Sequence, residues 1–354
     1  MRLLPALPAL AAVAVALLAG ALAALALGVA PAAIAERVVQ GIVLSPYGWG
    51  QVLYKATFLA FTGLSVAIAF SAGLFNIGAE GQAVIGSLVC ALVGIAGAGL
   101  SGALLLPLAL AAAFAGGALW GWIPGWLKAR WGTHEVIQTI MLNFIALALA
   151  NLLIARRFGM PETVRTAEVG AGAWLPRLEG LWPALRGSAV NASLLLAVAA
   201  ALLAHLFLFH TPAGLALRAV GRGRRQAELL GLRPGRRIVL AFVLAGGAAG
   251  LVGANFVLGY KHYYEDGFSG GIGFLGIAVA LLARNAPLAV LPAALFFGFL
   301  SQAGFVVNTL VPRELVDILT GLILLAFIVA EQARRRASRS WAAPAGAAAE
   351  EGAA

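Results

Sequence analysis

Two clusters of hydrogen-bonding side chains stand out in a chain that otherwise offers little chemistry. The first is Gly73-Leu74-Phe75-Asn76-Ile77-Gly78-Ala79-Glu80-Gly81-Gln82, a glycine-rich polar break between two strongly apolar runs. The second is Thr133-His134-Glu135-Val136-Ile137-Gln138-Thr139-Ile140-Met141-Leu142-Asn143. Here Glu135, Thr139 and Asn143 recur at i, i+4 and i+8 and so share one helix face. Carboxamides, a hydroxyl and a carboxylate can hold a polar solute, or the backbone groups that a helix break leaves unpaired.

The patterns needed for bond-making chemistry are missing. His134, His205, His210 and His262 lack the spacing of zinc ligands. No Gly-x-x-x-x-Gly-Lys-Ser/Thr phosphate loop and no Gly-x-Ser-x-Gly nucleophile turn occurs. Catalytic residues, bound metals and resident cofactors are therefore not expected, and any ATP-driven step must come from another subunit.

The elements that position these clusters follow from composition. Of 354 residues, 62% are hydrophobic and 11% charged, against about 25% charged in an ordinary globular domain. Charges are clustered, leaving apolar runs of about 20 residues, the length that spans about 30 Å of hydrocarbon. The reading is an all-α polytopic membrane protein with ten spans, near 9–29, 51–72, 82–98, 103–123, 136–155, 191–209, 238–260, 271–283, 287–305 and 314–330. The first apolar run is longer than a signal-peptide core and is expected to be retained. Cys90 is the only cysteine, which excludes a disulfide within the chain. The net charge of +10 resides mainly in 218–237 and 334–339, as in positive-inside loops rather than a nucleic-acid patch.

That charge bias puts loop 210–237, the loop carrying Lys128 and Arg130, and both termini in the cytoplasm. Segment 156–190, with five Arg and three Glu, falls outside despite its basic balance. Ten spans divide into two inverted five-helix repeats, about 1–160 and 186–330, followed by a disordered cytoplasmic tail at 331–354. The third span begins at Gly73–Gln82, and its counterpart begins at Gly267-Phe268-Ser269-Gly270-Gly271-Ile272-Gly273-Phe274. Such glycine-interrupted pairs point to broken helices around a midplane site, or to close helix packing. Candidate pathway residues are Phe75, Asn76, Glu80, Gln82, Thr139, Asn143, Gly270, Gly271 and Phe274. Glu80 either binds a solute hydroxyl or caps the half-helix that follows it, and Glu135 has a structural reading at a helix start. Residues 214–231 read as a short helix between glycine stops, fit for anionic lipid, a soluble partner or plain solvation.

Phe75-Asn76-Ile77-Gly78-Ala79-Glu80-Gly81-Gln82, His134-Glu135-Val136-Ile137 with Thr139-Ile140-Met141-Leu142-Asn143, Arg218-Ala219-Val220-Gly221 and Gly276-Ile277-Ala278-Val279-Ala280-Leu281-Leu282 together resemble one family. It is the permease subunits of bacterial nucleoside ABC importers, within the branched-chain amino acid and simple-sugar permease superfamily. The matches run from about residue 50 to 330 in family order. The resemblance implies one transmembrane permease domain over 1–330, in the bacterial inner membrane. It implies partner ABC ATPases that bind ATP and Mg, an extracytoplasmic substrate-binding lipoprotein, and a second permease, expected to be a different chain. The transported solute would be a nucleoside, with a sugar or branched-chain amino acid as alternatives and an ion-coupled carrier as a remote one. It further implies that Gly214, Arg218, Ala219, Val220, Gly221, Ala227 and Gly231 belong to a coupling helix seated on the ATPase. Where relatives often carry Asn-Pro after the glycine, this chain has Arg222-Gly223-Arg224-Arg225, which alters the expected contact there.

Overall fold

The computed structural model describes residues 28–312 continuously, with isolated residues on either side (18, 20–22, 24–26, 318, 321, 322, 325 and 329). The expected first and tenth spans lie largely outside these residues, and the tail 331–354 lies wholly outside them. Among the described residues the elements are all helical, joined only by isolated bridges. They are α1 (Pro31–Val38), α2 (Pro46–Ser71), α3 (Ala79–Ala96), α4 (Gly102–Trp131), α5 (Glu135–Leu153), α6 (Ser193–His210), α7 (Pro212–Arg222), α8 (Arg224–Leu229), α9 (Pro234–Gly250), α10 (Ile272–Leu282) and α11 (Pro287–Val307). Wider π turns extend α1 through Val39–Val43 and α5 through Ile154–Phe158, and a further one covers Ala254–Lys261 after α9. Among the described residues seven helices are long and apolar enough to cross a bilayer, and a bent pair, Gly20–Ala26 with Pro31–Val43, would make eight.

Residues 42–302 form one compact unit, and the residues flanking it form a second. The first unit is built around α2, which is buried along nearly its whole length. Pro46 opens this helix at N1, where its missing N–H costs nothing, and the Ser45 hydroxyl accepts from Gly48 N at 3.2 Å. Helices α9, α10 and α6 pack on it.

Helices α4 and α9 meet main chain to main chain. A Cβ on Gly117 would strike Gly246 O, one on Gly121 would strike Phe242 O, and one on Gly250 would strike Ala113 O. Glycines at i and i+4 on both helices keep that stripe bare, the usual way apolar helices approach closely when no water drives them together. Gly86 of α3 joins the same contact through Gly250 Cα. A second anchor is polar. Asn255, inside the π stretch, accepts from Asn191 Nδ2 at 2.9 Å and Ser193 Oγ at 3.0 Å, and donates to Tyr54 O at 3.0 Å. It therefore ties the π stretch to α6 and α2.

Several expectations need correction. The expected eighth span is an 11-residue helix, about 16 Å long at 1.5 Å per residue, too short to cross. The fourth span continues to Trp131, so Lys128 and Arg130 lie in its last turns rather than in a loop; Gly132, at φ 67°, ends it in a left-handed cap. Residues 31–38, expected between spans, are helical because Pro31 opens a run of good helix formers. Segment 214–231 is two helices. Pro212 and the Thr211 cap start the first one upstream, so Gly214 lies inside it, and Gly223 breaks it from the second.

Replacing Gly117 by Val forces the α4–α9 backbones apart. The variant is expected to lose about 2 kcal/mol or more of stability, read as a lower temperature at which detergent-solubilised protein aggregates.

Candidate functional site

The polar break is a chain of backbone caps. Helix α2 ends in a Schellman turn, with Leu74 N donating to Ala69 O at 3.1 Å and Gly73 N to Phe70 O at 2.9 Å. Gly73 sits at φ 70°, the left-handed conformation the turn requires. Asn76 then clamps the turn. Its Oδ1 accepts from Gly78 N at 3.1 Å, and its Nδ2 donates to Gln82 Oε1 at 2.8 Å and Ser65 Oγ at 3.0 Å.

Asn143 of α5 completes the start of α3. Its Nδ2 donates to Ile77 O and its Oδ1 accepts from Gly81 N, both at 2.9 Å. The Thr139 hydroxyl bonds back to Glu135 O at 2.7 Å, and its Cβ packs where a Cβ on Gly78 would come within 3.2 Å. Glu135 is paired with Lys128. That pair joins the end of α4 to the start of α5.

Glu80 does not cap its own half-helix. Its Oε1 accepts from Gly271 N at 3.0 Å and its Oε2 from Gly273 N at 2.6 Å, so the carboxylate caps α10 across the molecule. Both oxygens are used, and only 4% of the residue is exposed. A negative group at a helix N-terminus meets free N–H groups and the positive end of the dipole together. Gly271 is at φ 88°, and a Cβ on Gly273 would strike the Glu80 backbone, so the two breaks touch directly.

Beside this cap lies a cavity of about 310 Å³, lined by Glu80, Asn143, Phe274, Gly270, Gly271 and Ser269, and closed by Gly267, Ile140, Phe144 and Leu147. Of the candidates read from sequence, Glu80, Asn143, Gly270, Gly271 and Phe274 line it. Asn76, Gln82 and Thr139 are buried one layer behind, committed to hydrogen bonds within the chain. Phe75 packs edge-on against Phe70, with ring centroids 5.1 Å apart. Ser269, Gly267, Phe144, Ile140 and Leu147 were not among the candidates. Positions 140 and 147 lie at i−3 and i+4 from Asn143, and 144 at i+4 from 140, so helical spacing alone could have found these three.

Tyr264, fully buried, sits close enough to feel both carboxylates of the region. Burial first, then Asp266 and Glu80, push its hydroxyl pKa upward, and the hydroxyl has no hydrogen-bond partner among the described residues. Nearby, Trp174 stacks on His262 at 4.0 Å. Burial, and next the Arg177 guanidinium, hold that imidazole below the ordinary histidine range.

Of the remaining candidates, Gly221 ends α7 directly on the break: a Cβ there would meet Ala72 C and Gly73 N, each at 2.8 Å. Val220 and Gly214 are buried on the same side, and Ala227 is buried under α8. Arg218 lays its guanidinium 4.7 Å over the Phe209 ring. Gly231, at φ 75°, closes α8 with Leu232 N donating to Ala227 O at 3.0 Å. Leu229 and Leu230 are 83% and 75% exposed beside Arg224 and Arg225. Among the described residues no group of His, Cys, Asp and Glu could hold a metal ion.

Helices of this length and hydropathy, with polar groups turned inward, define a multi-pass membrane protein built around an internal polar break. Residues 48–328 match the family described as branched-chain amino acid transport system / permease component. The chain is 36% identical over 324 residues to the guanosine ABC transporter permease protein NupP of Bacillus subtilis, covering 90% of this chain and 91% of that one. It is 34% identical over 339 residues to the glucose ABC transporter permease protein TsgB13 of Haloferax volcanii, covering 94% and 88%. It is also 34% identical over 292 residues to the nucleoside ABC transporter permease protein NupB of Lactococcus lactis, covering 79% of each. No solved structure matches. The chain belongs to this family of ABC permease components, transporter subunits that carry no ATPase site of their own.

Glu80→Gln leaves one carbonyl oxygen to accept from α10, whereas Glu80→Ala leaves two buried N–H groups unpaired, at about 1–3 kcal/mol each. Solute uptake with membrane levels held equal is expected to fall only partly for Gln and to near background for Ala. Equal loss in both would mean that the charge, not the cap, is what transport needs.

Proposed function

We propose that this chain is the permease subunit of an ATP-driven importer for nucleosides, working by alternating access between two permeases in the cytoplasmic membrane. In this reading the described helices, with those outside the described residues, make ten membrane helices in two inverted repeats over 1–330, the short α10 entering the membrane only as a half-helix after the break at 267–274. The breaks at 73–82 and 267–274 lie near the midplane, loop 156–190 lies outside, and both termini and loop 210–237 lie inside. An extracytoplasmic lipoprotein delivers the solute, and partner ATPases supply ATP and Mg.

The occupied cap carries the choice of solute. A half-helix N-terminus is the natural seat for the α-carboxylate of an amino acid. Here the first N–H groups at the α10 start are taken by Glu80, and no cation among the described residues lines the cavity. An anionic or zwitterionic solute would meet a carboxylate where it needs donors. A neutral solute fits better. The walls made by Ile140, Phe144, Leu147 and Phe274 favour one with an apolar planar face, because a hexose would leave hydroxyls unpaired against them. At about 310 Å³ the cavity is at the small end of ligand sites, roughly 300–1,000 Å³. A sugar permease is the second reading, since the glucose permease TsgB13 matches across 94% of this chain.

Helices α7 and α8, with Arg218, Ala219, Val220 and Gly221, are the coupling element in this reading. Exposed Leu229 and Leu230 among arginines offer an apolar contact with a charged rim to a soluble partner. Movement of α7 reaches the break through Gly221 and Gly73.

Two outcomes are expected. In cells expressing the transporter with its partner subunits, unlabelled nucleosides compete for uptake of labelled adenosine while ribose and leucine do not; competition by free sugars alone would move the solute to the second reading. Gly221→Leu, which drives a side chain into Ser71–Gly73, is expected to cut uptake at least about ten-fold while ATP hydrolysis by the assembled complex continues. Unchanged uptake would remove α7 from the coupling path.

A further inference from the structure

The cavity at Glu80 is the inner end of a longer groove. A second cavity of about 470 Å³, lined by Leu147, Ala148, Asn151, Leu152, Ala155, Asp266 and Gly267, shares Leu147 and Gly267 with it. A third, of about 770 Å³, shares Ala155 with the second and opens beneath segment 159–165, with Arg165, Tyr263 and Glu265 in its wall. One helix face serves all three. Residues 140, 143, 144, 147, 148, 151, 152 and 155 alternate steps of three and one, the a/d/e-type spacing that places them in a stripe along α5 and its π extension. At 1.5 Å per residue that stripe is about 22 Å long.

Polar groups in the middle of this stripe are few. Leu147, Ala148, Leu152 and Ala155 present hydrocarbon. Against them stand Asn151 and Asp266, joined by a bond from Asn151 Nδ2 to Asp266 Oδ2 at 3.0 Å. Asp266 is held from behind by its own N–H, which donates to Val164 O at 2.9 Å, so the carboxylate is carried by a fixed segment. The pair is exposed to the groove and not sealed in the core. Asn151 uses one donor on one carboxylate oxygen. The remaining Asp266 oxygen and the Asn151 carbonyl are two further acceptors carried by one hydrogen-bonded pair, and among the described residues neither accepts a hydrogen bond.

We propose that Asn151 and Asp266 form a second binding station, which takes the vicinal diol of a ribosyl ligand before it reaches the Glu80 cavity. Two neighbouring hydroxyl donors need two acceptors, which this pair carries, and a carboxylate is a common acceptor for ribose hydroxyls. No cation among the described residues lines the middle cavity, so a phosphorylated ligand finds a carboxylate there and no counter-charge. Asn151 stands eight residues beyond Asn143, about 12 Å along the helix. A ligand therefore has to leave one station to occupy the other, which suits passage better than storage. In the proposed topology this station faces the side from which solute arrives.

The proposal rests on the nucleoside reading, and the experiment separates the two. Uptake of labelled adenosine and of labelled 2′,3′-dideoxyadenosine is measured in cells carrying the transporter with its partner subunits. The binding lipoprotein is the same throughout, so a change in discrimination belongs to the permease. Asp266→Asn is expected to raise KM for adenosine about ten-fold, leave KM for the dideoxy compound within about two-fold, and keep the maximal rate. Asn151→Ala, which leaves the carboxylate and its backbone bond in place, reads the same ratio should the first variant not reach the membrane, with a smaller shift in the same direction. A ratio unchanged from wild type in the variant that assembles, or equal loss for both compounds, overturns the station while leaving the nucleoside reading intact. Wild-type cells that take up labelled glucose but not adenosine overturn the nucleoside reading itself, before any variant is made.

Discussion

The Glu80 carboxylate on the N-terminus of α10 is the interaction on which the inner architecture depends. Two N–H groups at the start of a short helix have no partner within that helix, and in an apolar interior they have no water either. Leaving them bare would cost about 1–3 kcal/mol each. Glu80 satisfies both from a different break, 191 and 193 residues away in sequence. Once that bond exists, the position of α10 follows that of α3, and the α10 start is held from its other side by Thr62, whose hydroxyl lies 3.3 Å from Ile272 O. Asn143 then fixes α3 relative to α5 by the same device, a side chain of one helix closing the backbone of another. The polar residues of the break form a frame, and the cavity is what the frame leaves open.

That frame is set in a scaffold of two kinds. The α4–α9 contact is bare main chain, specified by where glycines fall and insensitive to hydrogen bonding. The Asn255 cluster is the opposite, a buried polar network that fits only when Asn191, Ser193 and Tyr54 O are all in place. Close packing supplies rigidity, and the network supplies register. Both leave α5 free on the face that carries Phe144, Ile145 and Leu152, which is why the groove runs there and not through the centre of the bundle.

The breaks at 73–82 and 267–274 and the helix face of Asn143 were legible in the sequence, because glycine interruptions and i+4 spacing survive in one dimension. The long apolar helices were legible for the same reason. Partnership was not. Glu80 reads as a cap for the helix it begins, since local N–H groups are the nearest in sequence; only the fold brings Gly271 and Gly273 closer. The same limit made Asn76, Gln82 and Thr139 look like solute contacts, because side-chain type does not reveal whether the chain itself consumes a donor. Helix α10 looked like a full span because residues 271–283 are apolar almost throughout, although 13 residues reach only about 20 Å as a helix, short of the bilayer core. The π stretch at 254–261 left no mark, since a run mostly apolar and buried on all sides carries no periodicity for a wider turn to disturb. The inverted repeat is an inference from parity and remains part of the proposal.

The meeting of Gly221 with Ser71–Gly73 has a mechanical consequence. Contacts between side chains yield, because rotamers can change and absorb a displacement of an ångström or so. Here carbonyls and α-carbons of two chain segments touch with no side chain between them. Such a joint has almost no slack. A push on α7 is spent on moving the end of α2 rather than on repacking. It behaves as a bearing surface, whose tolerance is set by the thickness of a peptide.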